Sequence, residues 1–114
     1  MATLRREGGE VVCRRCEVAR SAFRRMRGLL GRSGLEPDEG MLFQPAGSIH
    51  TLFMRFPIDV VFLSRDLVVI GVEPAMKPWR AAGRKGAKVV VEMAAGAAAG
   101  LEPGDTLILD EAGA

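Results

Sequence analysis

The longest apolar stretch of the chain, IHTLFMRFPIDVVFL at residues 49–63, constrains the fold more than any other feature. Pro57 fixes its own φ and favours an extended backbone at the residue before it. The sequence therefore predicts two extended pieces, residues 50–56 and residues 58–63, joined at a kink or turn. Both faces of each piece are apolar, which is typical of a strand covered on both sides or of the wall of a small barrel.

Three ionisable side chains interrupt this apolar stretch: His50, Arg55 and Asp59. A charge buried among apolar side chains has to be paired or neutralised. Arg55 and Asp59 are close enough across Pro57 to pair with each other. Such a pair, together with His50, either fastens the turn or forms part of a functional site.

The bulk properties of the chain indicate one domain. The 114 residues are enough for a hydrophobic core, and no linker or internal repeat divides them. No window approaches the roughly 18 apolar residues of a membrane span, and the N-terminus has no apolar signal region. We therefore expect a soluble cytoplasmic protein without a membrane partner, in which residues 1–9 and residues 111–114 are frayed tails.

Alternating polarity and turn signals predict a β-rich protein. Besides the two pieces above, we expect strands at residues 10–18, 41–44, 67–72, 88–93 and 106–110. The tight reversal at residues 64–66 predicts a hairpin between the strand that precedes it and the strand that follows it.

Helical spacing predicts one main helix at residues 19–32, where apolar side chains recur at i, i+3, i+4 and i+7. A short alanine-rich helix is expected at residues 94–100, ended by Gly100. With these two helices the expected fold class is α+β. Its main part is a small, barrel-like, mostly antiparallel sheet.

Cationic side chains are concentrated in two blocks. Arg20, Arg24 and Arg27 form a stripe beside the apolar face of the main helix, and a second block lies in residues 77–88. The stripe either binds phosphate or an acidic partner, or covers the edge of the core with its stems and keeps its charged heads in water. Nucleic-acid binding is therefore an alternative function that we do not favour, and it requires both blocks to lie on one face.

The two cysteines, Cys13 and Cys16, match the spacing C-x-x-C within a predicted strand. An offset of three places them on opposite faces of a strand, so a shared metal or a disulfide requires the strand to bend. A structural zinc site needs four ligands, and His50 is the one further nitrogen or sulfur ligand of that type in the chain. The sequence therefore predicts no metal site and no cofactor.

A long irregular loop at residues 76–87 contains the chain's one tryptophan, Trp79, next to Arg80. Loops of this length in a compact domain are usually functional or disordered, and an aromatic ring beside cations suits contact with an anion, a sugar or a nucleotide. The alternative is that the loop is a hydrophobic anchor with a soluble rim.

Glu92 is a second carboxylate within apolar sequence, and if it lies near Asp59, the pKa of one of the two is raised.

These features define one candidate ligand-binding site. It is a cleft lined by Ser48, His50, Arg55, Asp59, Trp79, Arg80 and Glu92. A planar guanidinium beside an indole ring and carboxylates suits a small polar or anionic ligand. The chain is therefore predicted to be a small-molecule-binding or protein-interaction module.

An enzyme that uses Asp59 or Glu92 with His50 for acid–base chemistry is an alternative. The sequence contains no Walker loop, no dinucleotide-binding glycine pattern, no zinc-protease helix motif and no nucleophile elbow. Ser48, His50 and Asp59 can be combined into a hydrolase-like triad, but no oxyanion signal accompanies them. The lack of these motifs favours binding over catalysis.

Four separated motifs resemble one known family. They are RMRGLLGR at residues 25–32, GMLF at 40–43, HTLFMRFPIDVVFL at 50–63 and LEPGDT at 101–106. Over roughly residues 11–109 the chain is similar to the prokaryotic "domain of unknown function 192" family. The resemblance implies a compact β-rich α+β domain, whose strands curl into a barrel-like sheet that carries one main helix. It implies no activity and no catalytic residue.

Overall fold

The computed structural model describes residues 1–21 and 28–111 of the chain. Within these residues the chain forms nine strands. They are β1 Ala2–Arg6, β2 Val11–Ala19, β3 Glu39–Phe43, β4 Ser48–His50, β5 Ile58–Leu63, β6 Val69–Met76, β7 Ala81–Gly83, β8 Val89–Ala94 and β9 Leu107–Asp110. The described part contains no helix that is long and apolar enough to cross a bilayer.

Seven of the strands form one curled sheet in the order β6-β5-β8-β3-β2-β1-β9. Neighbouring strands are antiparallel except for β2 and β3, which are parallel. The two outer strands meet at one end, where the Val69 amide donates to the Asp105 carbonyl at 2.8 Å and the Leu107 amide donates to the Leu67 carbonyl at 2.9 Å. The predicted barrel-like, mostly antiparallel sheet is therefore confirmed.

The central strands β5 and β8 are buried on both faces. Val61 lies opposite Val91 in one hydrophobic core cluster, whereas Phe62 lies opposite Val90 in the other. β5 also pairs with β6 along its length. The structure thus confirms the predicted strand at residues 58–63, its coverage on both sides and its hairpin with the next strand.

The predicted α+β class is wrong, because the described residues contain strands and turns but no helix. The main helix expected at residues 19–32 does not begin at Ala19, which ends β2. Residues 28–31 form a turn in which two glycines have positive φ. The remainder of that predicted helix, residues 22–27, lies outside the described residues.

The short helix expected at residues 94–100 is also wrong. This segment forms consecutive turns after the end of β8, with Gly96 at a φ of 93°. The Asp59 carboxylate accepts hydrogen bonds from the Gly96 and Ala98 amides, both at 2.9 Å. An alanine-rich run of this length does not sustain a helix by itself, so the contacts with Asp59 decide its conformation.

β1 is an interior strand of the sheet, so the prediction that residues 1–9 are a frayed arm is wrong. The strand lies between β2 and β9, and its Ala2 and Leu4 side chains are buried in the core. The Arg6 amide donates to the Glu10 carbonyl at 2.7 Å, which closes a turn of two glycines. The first strand and its turn together form a hairpin with β2.

A β-bulge in β2 brings the Cys13 and Cys16 side chains into the same core cluster, so they do not lie on opposite faces. The register slips between Ala2, which is opposite Cys16, and Leu4, which is opposite Cys13. A hydrogen bond from the Cys16 thiol lowers the pKa of Cys13, whereas the same contact and burial raise the pKa of Cys16. Both are free thiols. In the described ranges no three His, Cys, Asp or Glu side chains are arranged to hold a metal ion.

Candidate functional site

β4 and β7 form a separate two-stranded antiparallel sheet. Ile49 packs against the core, whereas Ser48 and His50 on either side of it are exposed. The backbone then forms turns and bends at residues 51–56. The strand predicted at residues 50–56 is therefore wrong beyond its first residue.

Thr51 fastens the turn after β4 to residues 77–80, the loop between β6 and β7. Its hydroxyl donates to the Lys77 carbonyl at 2.7 Å and accepts from the Arg80 amide at 2.9 Å. Its amide donates to the Arg80 carbonyl at 2.7 Å, and its carbonyl accepts from the Trp79 amide at 2.9 Å. Because Thr51 is buried, these bonds form in a medium where they are strong, and they hold the two loops together as one unit.

Phe53 and Trp79, one from each loop, form an exposed cluster that we call the aromatic tip. Their ring centroids lie 4.7 Å apart, with the ring planes inclined by 59°. Even in contact, Phe53 is 68% exposed and Trp79 is 55% exposed. Both residues have left-handed backbone conformations, with φ of 66° and 64°. Large side chains rarely adopt such φ values, and each costs of order 1–3 kcal/mol of backbone strain.

Exposed cations accompany the aromatic tip. Arg55 lies in the same loop as Phe53, and Lys77 and Arg80 flank Trp79 in its loop. None of the described acidic side chains lies within ion-pair distance of these three cations. A shallow cleft of about 290 Å³ opens beside the tip, lined by Glu73, Pro74, Ala75, Met76, Lys77, Arg80, Ala81 and Ala82.

The structure brings part of the predicted site together. β4 carries Ser48 and His50, and the loop before β7 carries Trp79 and Arg80, so the pairing of β4 with β7 makes the two groups neighbours. The Leu52 amide donates to Nδ1 of His50 at 3.3 Å. The two carboxylates of the predicted site, Asp59 and Glu92, lie elsewhere, on the central strands β5 and β8.

Asp59 stabilises the fold through hydrogen bonds with the backbone. Its carboxylate accepts three backbone hydrogen bonds, from the amides of Ala75 at 2.8 Å and of Gly96 and Ala98 at 2.9 Å. The side chain is 2% exposed. The predicted ion pair between Arg55 and Asp59 is therefore wrong, because backbone amides occupy the carboxylate and the arginine is exposed.

Glu92 lies in the middle of β8, where its cross-strand neighbours are Met41 and Val60. It is 4% exposed, and no described residue donates a hydrogen bond to its carboxyl group. Burial raises the pKa of Glu92 to about 8. At neutral pH the side chain is therefore mostly a neutral acid within the sheet. In register it lies one position from Asp59, which is opposite Met93, but successive side chains of a strand face opposite sides of the sheet, so the two carboxyl groups do not share a site.

The predicted basic patch is described only at Arg20. Its guanidinium forms two hydrogen bonds with the Glu111 carboxylate, at 2.9 and 3.0 Å, and a third with Gln44 at 3.2 Å. Arg24 and Arg27 lie outside the described residues. The charge of Arg20 is thus neutralised within the chain.

The predicted site omits two residues that the geometry makes prominent, Phe53 and Thr51. Phe53 stands in an apolar stretch, and no period or motif distinguishes a side chain of that stretch that turns outward. Thr51 adjoins the chain's one histidine, but its role depends on residues 26 to 29 positions away. The one signal in the sequence for the loop that exposes Phe53 was Pro57, since a proline marks a break in the extended chain.

We expect Thr51→Val to weaken the junction of the two loops. The substitution keeps the shape of the side chain but leaves the Lys77 carbonyl and the Arg80 amide without the hydroxyl, at a cost of about 1–3 kcal/mol. Urea unfolding measures this loss, and the fluorescence of Trp79 reports on the loop itself. Thr51→Ser, which keeps the hydroxyl, is the control and should retain the native emission. Equal stability of the valine variant and the wild type would contradict the fastening role.

Comparison with known proteins identifies relatives of this chain. The family model DUF192, described as "Uncharacterized ACR", matches residues 3–109. The UPF0127 protein of Thermococcus sibiricus (strain DSM 12597 / MM 739) is 34% identical over 96 residues. The match covers 77% of this chain and 60% of that relative, so the chain spans less than two thirds of the relative's length.

Two crystal structures share the fold. A protein of unknown function from Novosphingobium aromaticivorans DSM 12444 is 27% identical, with a TM-score of 0.79 over 94% of this chain and 82% of that chain. A Sinorhizobium meliloti 1021 protein, provisionally described as a transcription regulator, is 24% identical, with a TM-score of 0.79 over 94% of this chain and 90% of that chain. At that identity the second likeness shows the fold alone. The family match over nearly the whole chain confirms the resemblance of the four motifs: the protein belongs to the "domain of unknown function 192" family.

Proposed function

We propose that this chain is a protein-interaction module whose recognition element is the aromatic tip. The observation that carries the proposal is that Phe53 and Trp79 leave most of their surface in water although both occupy backbone conformations that disfavour large side chains. Neither property benefits the isolated fold, because glycine would relieve the strain and a polar side chain would suit the exposure. Contact with another molecule accounts for both.

The composition of the tip supports a protein partner. Aromatic side chains and arginine are enriched at the centres of protein–protein interfaces, where a few of them carry most of the binding energy. Phe53 and Trp79 supply an apolar centre, and Arg55 and Arg80 lie in the same two loops. The hydrogen bonds of Thr51 order these loops before binding, which lowers the entropic cost of association.

A small polar or anionic ligand is the second candidate, supported by the cleft that Lys77 and Arg80 line beside the tip. The cleft volume of about 290 Å³ lies just below the roughly 300–1,000 Å³ of typical small-molecule pockets. The two rings are inclined by 59° and therefore do not form one flat platform for a sugar or a base. These features favour a protein partner over a small molecule.

Acid–base catalysis is less well supported. His50 is exposed on the small sheet, whereas the carboxylate of Asp59 is occupied by three backbone amides. Glu92 is buried between central strands, and the cleft beside the tip is lined by none of the three. General acid–base chemistry requires such groups to reach one substrate atom.

Removal of either ring of the tip should weaken binding strongly without unfolding the protein. Peptides that bind the wild type can be selected from a random display library and their affinity then measured by fluorescence anisotropy. In Phe53→Gly and Trp79→Gly we expect the affinity to fall at least about tenfold, as for interface hot spots. Glycine suits the positive φ at both sites, so the unfolding free energy should change by no more than about 1 kcal/mol.

Val11→Ala is the control, since Val11 is an exposed apolar residue of β2 outside the tip. Its affinity for the selected peptides should equal that of the wild type. If the selected peptides bound all four proteins alike, the tip would not be the recognition element. Circular dichroism is the measure of folding here, because Trp79 is the one tryptophan of the chain.

A further inference from the structure

We infer that the partner of the aromatic tip is an acidic peptide segment that carries at least one large apolar side chain. This inference rests on the proposed function and specifies its partner. The rings of Phe53 and Trp79 would contact the apolar side chain, and Lys77 and Arg80 would bind the flanking carboxylates.

The first argument is the charge around the tip. In the described residues six arginines are neutralised in seven ion pairs, namely Arg5, Arg6, Arg15, Arg20, Arg32 and Arg84, and four cations away from the tip, Arg14, Arg65, Lys85 and Lys88, have no acidic partner. Arg55, Lys77 and Arg80 have no such partner. The acid that lines the cleft, Glu73, is bound by Arg84 at 2.7 Å and does not offset their charge. The tip therefore presents unneutralised cations beside exposed rings, which complements a partner that is both acidic and apolar.

The second argument is the shape of the cleft. Lys77 and Arg80 line the same opening, and their neighbours there include three alanines, Ala75, Ala81 and Ala82. Small side chains let an extended main chain approach closely. In the described part of the sheet, β7 pairs with β4 alone, so its other edge has no strand neighbour. Charge contacts for an extended peptide thus lie next to a strand whose second edge has no strand neighbour in the described residues.

An anionic membrane surface shares the acidic and apolar character of such a peptide. A bilayer, however, contacts protruding side chains and makes no use of a concave surface next to them. Lys77 and Arg80 both line the concave cleft. The geometry therefore favours a peptide, and lipid binding becomes an outcome of the test.

The test uses three display libraries with random apolar positions, whose polar positions are Asp/Glu, Asn/Gln or Lys/Arg. We expect wild-type protein to enrich binders from the acidic library. Their affinity should exceed that of Asn/Gln versions of the same peptides at least about tenfold, and should decrease as salt is added. Lys77→Gln and Arg80→Gln should each weaken the acidic peptides about three- to tenfold and leave the amide versions unchanged.

Arg65→Gln is the matched control, because Arg65 is an exposed cation without an ion pair at the other end of the β5–β6 hairpin. It should not alter binding. Enrichment from the Asn/Gln library equal to that from the acidic one, with binding still lost in Phe53→Gly, would overturn the acidic partner and leave the interaction module standing. Binders indifferent to Phe53→Gly would overturn both. Phe53-dependent binding to phosphatidylserine vesicles without any enriched peptide would replace the peptide by a membrane.

Discussion

Replacing Asp59 with alanine is expected to remove on the order of 3–6 kcal/mol of unfolding free energy, because three backbone amides lose a buried acceptor. The Ala75 amide donates to Oδ1, and the Gly96 and Ala98 amides donate to Oδ2. Proteins of this size have a total stability of about 5–15 kcal/mol, so the change removes a large share of it. Urea unfolding followed by circular dichroism measures the loss.

Two variants separate the lost acceptors from the lost volume. Asp59→Asn keeps the shape and one acceptor oxygen but turns an amide donor toward backbone donors, so we expect roughly half the loss. Asp66→Ala removes an exposed carboxylate from the turn of the same hairpin and should change stability by less than about 0.5 kcal/mol. A loss below about 1 kcal/mol in Asp59→Ala would mean that the amides find other partners and that the carboxylate does not hold the turns.

The role of Asp59 also explains which parts of the fold could be predicted. The β5–β6 hairpin was predictable, because its signals are local: two short apolar runs on either side of a polar reversal. The conformation of residues 95–100 was not, because it depends on a carboxylate 37 to 39 positions away. Alanine content describes the preference of an isolated segment, and a tertiary contact overrides that preference.

The error at the N-terminus has a different cause, since the signal was present. Ala2 and Leu4 alternate with polar residues, and Gly8 and Gly9 form a turn signal between them and the next strand. The prediction followed the general tendency of chain termini to fray and gave no weight to this alternation. In the structure, Arg5 pairs with Asp110 at 2.7 Å and Arg6 pairs with Asp105 at 3.1 Å. An interior strand can therefore carry these two charges, because each has an acidic partner.

The part of the site that lies in the loop between β6 and β7 could be predicted from the sequence. Trp79 and Arg80 stand in a stretch without periodicity, which marks a loop, and in the structure Trp79 belongs to the aromatic tip while Arg80 follows it in the same loop. The ion pair between Arg55 and Asp59 was predicted from their proximity in sequence, and that prediction was wrong. β5 begins at Ile58, so Asp59 belongs to the buried sheet and Arg55 to an exposed loop, although four positions separate them.

The second large effect concerns Glu92, whose ionisation should make the protein less stable as pH rises. Its pKa is about 8 in the folded state, against an ordinary value of 4.5. Between these values the folded state keeps a proton that the unfolded state has released, so the unfolding free energy falls by about 1.4 kcal/mol per pH unit. Across the whole window the loss is on the order of 4–5 kcal/mol. Below pH 4.5 and above pH 8 this contribution is constant.

Glu92→Gln should remove this pH dependence, because glutamine is neutral at every pH and has nearly the same shape. The two proteins should have similar stability near pH 4.5, and the glutamine variant should be more stable by several kcal/mol at pH 8 and above. The measurement is the difference in urea unfolding free energy between the two proteins as a function of pH, since groups common to both cancel. Glu102→Gln, at an exposed carboxylate, provides the matched control and should follow the wild-type curve.

If the difference between wild type and Glu92→Gln did not change with pH, the carboxyl group would have to reach water or a cation in the folded state. Glu92 would then be an ionised group beneath the sheet surface, and its burial between Met41 and Val60 would no longer explain its chemistry.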